Sequence, residues 1–174
     1  MSSANRSETF HLGFLRIVEQ PGSGAVGGLL VTNRMGRPLE FQCTTPVKAN
    51  RTQEILYGPT LRPFVYSELI GKTLWERLQV KPQLLIVNQL ELLELRMHIS
   101  VPVGCILESA SEARDLPDHL KIQIGHHQIS LHPEFAEDLV SIQEQSKHIP
   151  SDADLHEPID RIGDALEETL RMAS

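Results

Sequence analysis

The sequence predicts an α+β fold: an antiparallel β-meander sheet with one main amphipathic helix packed across it, then a small β-hairpin and C-terminal helices. Three observations carry this. Residues 10–45 hold three β-prone runs separated by turns rich in Gly, Pro and Asn. Leu61, Phe64, Val65, Leu69, Ile70, Leu74, Trp75 and Leu78 recur at steps of three, one and four, which draws one broad apolar stripe along a helix. Residues 121–132 alternate around Gly125-His126-His127 as a hairpin does.

In chain order, Phe10–Glu19 reads as a strand with Phe10, Leu12 and Phe14 on one face. Leu15 and Ile17 break the alternation, so that strand is expected to be covered on both sides. Ala25–Thr32 is the second strand. Asn33-Arg34-Met35-Gly36 is a tight turn, because Asn and Gly tolerate positive φ. Pro38–Thr45 alternates Leu39, Phe41 and Cys43 against polar neighbours as the third strand. A short helical piece, residues 53–57, leads through Gly58-Pro59 into the main helix, which Thr60 is placed to cap. Pro82 stops that helix by disfavouring helical geometry at Lys81. Gln83–Val87 is a short apolar strand. Asn88 and Glu91 have capping-box spacing for a helix running to Arg96. Ile99–Leu107 is β-branched, and Pro102 marks it as an edge strand or a broken one. Glu108–Pro117 is a polar linker. Residues 133–148 and 157–172 have helical spacing, with Pro158 suited to the first position of the last helix.

At 174 residues the chain suits one domain with an appendage. The charge marks the division. Residues 1–107 hold 11 Lys/Arg and 8 Asp/Glu, a net of +3, whereas residues 108–174 hold 5 and 15, a net of −10. An α+β core over 1–108 and an acidic extension over 109–174, packed on the core or on a partner, are expected. No run approaches the roughly 18 apolar residues of a membrane span. Residues 1–9 read as a polar leader without a signal-peptide pattern, and a cytoplasmic location follows as an expectation. Cys43 and Cys105 have neither CxxC spacing nor enough company for a disulfide framework.

The terminal helix carries an interaction signal. Ile159, Ile162, Leu166 and Leu170 form a narrow stripe opposite an acidic face, the pattern of a helix laid in a partner's groove or packed on its own domain. The first functional expectation is therefore a non-enzymatic adaptor or complex subunit that binds a protein partner or forms a homo-oligomer, such as a homodimer. The second is a small enzyme, built in one of two ways. Arg34, Arg37, Arg51 and Arg62, with Lys48, lie in or beside loops that would share one end of the sheet and hold an anion there. Alternatively His126, His127 and His132 would supply imidazoles to zinc, against a plainer reading as the tip of an exposed hairpin. No HExxH, GxSxG or Gly-rich phosphate loop is present. An aromatic content of 5% and a net charge of −7 disfavour nucleic acid as a partner.

Overall fold

The computed structural model describes residues 9–173, so the leader at residues 1–8 lies outside the described residues. Strands β1 (His11–Gln20), β2 (Gly24–Asn33) and β3 (Pro38–Cys43) form the meander read from the sequence. β1 pairs antiparallel with β2 from His11↔Asn33 to Gln20↔Gly24. The Asn33 side chain accepts from the backbone N–H groups of Met35 and Arg37, and Gly36 sits at φ 87, as the turn chemistry requires.

The meander is only part of the sheet, and this corrects the predicted fold class. β4 (Leu84–Val87) pairs parallel with β1, and β5 (Val103–Ile106) pairs parallel with β4. β6 (Lys121–Ile124) and β7 (His127–Leu131) complete one mixed, seven-stranded sheet in the order β3-β2-β1-β4-β5-β7-β6. The fold is α+β with parallel and antiparallel pairs, not an antiparallel meander under a helix. The reason is in the connections. Helical segments bridge β3 to β4 and β4 to β5, and crossovers of that length return the chain in the same direction. Every residue of β4 and β5 is buried, as strands covered on both faces require. Pro102 does not make β5 an edge; it ends the loop before the strand, and its carbonyl accepts from Leu85 N.

Two apolar cores lie on opposite faces of the sheet. On one face Leu15, Ile17, Leu29 and Val31 meet a helical layer. That layer begins with α1 (Arg51–Tyr57), whose Asn50 and Gln53 form a capping box. A 3₁₀ turn at Gly58–Thr60 follows, then α2 (Leu61–Phe64), a π-helix (Val65–Lys72) and α3 (Thr73–Arg77). Thr60 does not cap α2; its hydroxyl donates to Tyr57 O. The expected single helix is thus wound in three ways. The stripe survives, with Val65, Tyr66, Ile70, Leu74 and Trp75 buried, while Leu69 is turned outward. Residues 90–97 form a 3₁₀ helix against the same core; the expected Asn88 cap is absent.

The second face carries Leu12, Phe14, Leu30 and Ile86. It is covered by α5 (Asp138–Ser146), through Ile142, and by α6 (Glu157–Ala173). Between β5 and β6, α4 (Ala110–Asp115) occupies part of the stretch read as a linker, with Ser109 accepting from Glu112 N at its start. Residues 109–174 therefore continue the sheet and cover its second face. Ile159, Ile162 and Leu166 are 0%, 1% and 0% exposed, and the half-buried Leu170 packs against the same core. Gly28 of β2 lets α6 approach closely: a Cβ there would stand 2.7 Å from Ile162 Cγ2. The stripe offered as a partner-binding surface is packed at home. Among the described residues, no helix is long and apolar enough to cross a membrane.

Candidate functional site

β1 and β4 run parallel, with Val87 at the end of β4 opposite Leu15, and β1 continues beyond it to Gln20 at the end of the sheet where open sheets with crossover connections commonly place ligands. β1 ends at Glu19-Gln20, and Asn88, Gln89 and Glu91 follow β4. The Gln89 side chain accepts from Ile17 N at 2.9 Å and donates to Ile17 O at 3.1 Å. It thereby continues the β1–β4 ladder beyond Val87 and brings the 3₁₀ helix bearing Glu91 beside β1. Ser67 Oγ donates to Glu91 O at 3.0 Å and fastens that helix to the π-helix.

Four side chains meet at this end. Tyr66, 1% exposed at the start of the π-helix, donates from Oη to Glu19 Oε1 at 2.6 Å. Arg62, one turn earlier, donates from Nε to Tyr66 Oη at 3.0 Å. Its guanidinium stands between two carboxylates, with Nε 3.9 Å from Glu19 Oε1 and Nη1 3.8 Å from Glu91 Oε1. Burial, and then the hydrogen bond to Glu19, push the Tyr66 phenol up to about 12, so the hydroxyl stays protonated at neutral pH. The hydrogen bond to Tyr66 raises the Arg62 guanidinium above its ordinary value. Glu19 and Arg62 are each about half exposed, and this pairing in water contributes little to stability. A proton acceptor and an anion-binding cation therefore face one opening, aligned by a buried phenol.

The opening is a cleft of about 640 Å³. Glu19, Arg62, Tyr66, Lys48 and Glu54 supply its polar lining, and Ala25, Val47, Leu61 and Val65 its apolar part. Lys48 Nζ donates to Gly22 O at 3.0 Å across the β1–β2 turn.

Of the five basic residues expected at one end of the sheet, Arg62 and Lys48 line this cleft. Arg51 stands at the start of α1 and pairs with Glu54 at 3.2 Å. Arg34 and Arg37 follow β2, which runs opposite to β1, and so sit at the other end of the sheet. There Arg34 lines a separate cleft of about 460 Å³ with Arg161 and Glu157. The histidines are dispersed too. His126 is exposed in the β6–β7 turn. His127 Nε2 accepts from Leu155 N at 3.2 Å. His132 is buried against the Phe135 ring, and its Nδ1 accepts from Glu134 N. Among the described residues no group of three or more His, Cys, Asp or Glu side chains is placed to hold a metal ion. Glu19 and Glu91 escaped the reading from sequence. Their one local signal is that each is the first acidic residue beyond a parallel strand's apolar run.

No protein-family model and no curated protein matches the chain. Among solved structures it is similar to the catalytic domain of human Endonuclease V, with a TM-score of 0.49 and 14% identity over 98% of this chain and 89% of that one. It is also similar to Marinitoga piezophila Argonaute in complex with a 5′-OH guide RNA, with a TM-score of 0.32 and 9% identity over 57% of this chain and 16% of that one. At these scores and identities the likeness assigns no activity to this chain. Ile159, Ile162 and Leu166 are buried in the chain's own core, so the surface on which the adaptor or complex-subunit expectation rested is not offered to a partner. The expected exclusion of nucleic acid rested on aromatic content and net charge alone, and it is not carried further.

Proposed function

We propose that the chain is a small enzyme that acts on an anionic substrate in the cleft at the carboxyl end of β1. The observation that carries this is the array Tyr66–Glu19–Arg62 on the wall of that cleft, with Glu91 3.8 Å from the Arg62 guanidinium. Arg62 receives the substrate's anionic group, with Lys48 of the same lining as a second cation. Glu91 holds the guanidinium from behind. Glu19 takes a proton from water or from a substrate hydroxyl. Tyr66 and Arg62 both address its Oε1, which leaves Oε2 for the substrate. Tyr66 orients the carboxylate and, with its phenol at about 12, does not compete as a base. Phosphates of nucleotides and nucleic acids belong among the anions this pair would accept. The two unpaired thiols, Cys43 and Cys105, support a cytoplasmic setting.

The test is a backbone NMR titration with a nucleoside monophosphate, a short single-stranded oligonucleotide and a carboxylic acid. At least one should shift the amides of residues 19–25, 47–49 and 58–66, and Arg62→Ala should abolish that shift. No cleft shift with any of the three overturns the reading. A catalytic role for Glu19 is tested on a panel of anionic esters: a hydrolysis that survives Glu19→Gln unchanged would remove Glu19 as the base.

A further inference from the structure

Resting on that reading, we propose that the cleft selects an anion carrying an apolar body, of the aryl phosphate monoester class, over a bare inorganic anion. The charged groups of its lining, Glu19, Arg62, Lys48 and Glu54, are all exposed, which sets them at its rim. Below them the surface is hydrocarbon. Ala25 and Val65 are buried, and Val47 and Leu61 are half-buried against the same core. A bare phosphate would fill a small part of about 640 Å³ and leave the half-buried Val47 and Leu61 facing water. A ring or short chain bonded to the anion would cover them while its charge stayed on Arg62.

The apolar wall is built in advance. Residues 25 and 47 form a two-bond antiparallel bridge, with Ala25 N to Val47 O and Val47 N to Ala25 O both at 2.8 Å. Gly24 permits that approach. It sits at φ 100, and a Cβ there would collide with the Val47 carbonyl. Lys48 is latched to Gly22 O beside the bridge. The wall therefore needs no reordering when the body of the ligand docks, and a preformed apolar surface converts its coverage into affinity.

Calorimetric titration of the full chain with inorganic phosphate and with phenyl phosphate tests this, with NMR shifts locating the site. Phenyl phosphate should bind at least about tenfold tighter, the gain expected from covering a ring-sized apolar surface. Val47→Ser, which keeps the backbone bridge, should cut that advantage to below about threefold. Equal affinities for the two probes, with shifts still in the cleft, would overturn this inference and leave the anion-binding reading standing. Absence of cleft binding by either probe would overturn both.

Discussion

The helical layers on the two faces of the sheet make different use of similar apolar stripes. On one face the stripe of residues 61–78 is wide, and its helix is wound as α, π and α in turn. On the other, α6 is a regular helix with a narrow stripe. Both stripes are buried in the chain's own cores. Stripe width therefore does not separate a packing helix from a docking one, and what distinguishes the two faces is winding. Wide π turns are uncommon and are frequent at functional sites. Here the π-helix opens with Tyr66, whose ring is in the core and whose hydroxyl is at the cleft. The regular helix closes the second core and sets Glu157 and Arg161 beside Arg34 at the opposite end of the sheet.

This contrast can be broken most severely on the regular side. Leu166→Asp would place a carboxylate among Ile159, Ile162 and the sheet, and a loss above about 4 kcal/mol is expected, enough to abolish folding. A urea transition unchanged from the parent would mean that α6 is not part of this core. Next in size is the link between the faces. Arg96, beside the 3₁₀ helix core, grips Asp138 of α5 at 2.7 and 3.3 Å, with both side chains largely buried. Asp138→Ala strands the guanidinium and should cost about 3 kcal/mol by denaturant melting; a loss below about 1 kcal/mol would refute the buried pair.

On the π-helix side smaller effects on stability and larger ones on the site are expected. Tyr66→Phe keeps the ring in the core and removes the hydrogen bonds to Glu19 and Arg62, for about 1 kcal/mol of stability. Anion affinity should fall with it, and an unchanged affinity would show that Tyr66 orients nothing. The smallest effect concerns pH. His156 at the start of α6 meets Glu108 Oε1 at 2.9 Å and Asp160 Oδ2 at 3.3 Å; Asp160 is also 3.8 Å from Arg16, and Asp154 accepts from the His156 backbone. The Glu108 contact foremost raises the imidazole above its ordinary value. A raised folded value means stability that is fully present below about 6.5 and lost as pH rises through the folded value. With the ring about one-third exposed, screening limits this to below about 1 kcal/mol. His156→Gln should flatten that slope in melts between pH 5.5 and 8, and an identical slope would dismiss the clasp.

Much of the fold was legible locally. The meander, the hairpin, the turn at Gly36 and the last helix all follow from alternation, turn chemistry and helical spacing, which act between residues close in the chain. The direction of β4 and β5 was not. Continuous apolar runs say that a strand is covered on both sides, and leave open which neighbours it pairs with. The site was legible only in part. Arg62 was found as one of five basic residues in or beside loops; Glu19 and Glu91 look like ordinary surface acids until the Gln89 contacts with Ile17 bring the 3₁₀ helix beside β1.

By itself, then, the sequence determined most of the inventory: the strands of the meander and hairpin, the apolar stripes of the two long helices, and the uneven spread of charge along the chain. Tertiary structure alone decided that the acidic helix covers its own sheet, that the arginines split between opposite ends, and that Tyr66, Glu19 and Arg62 share one cleft with Glu91 beside the guanidinium. The physical reason is range. Propensity and periodicity are properties of a few consecutive residues, whereas the site joins positions 19, 62, 66 and 91, which only strand order and direction bring into hydrogen-bond and ion-pair contact.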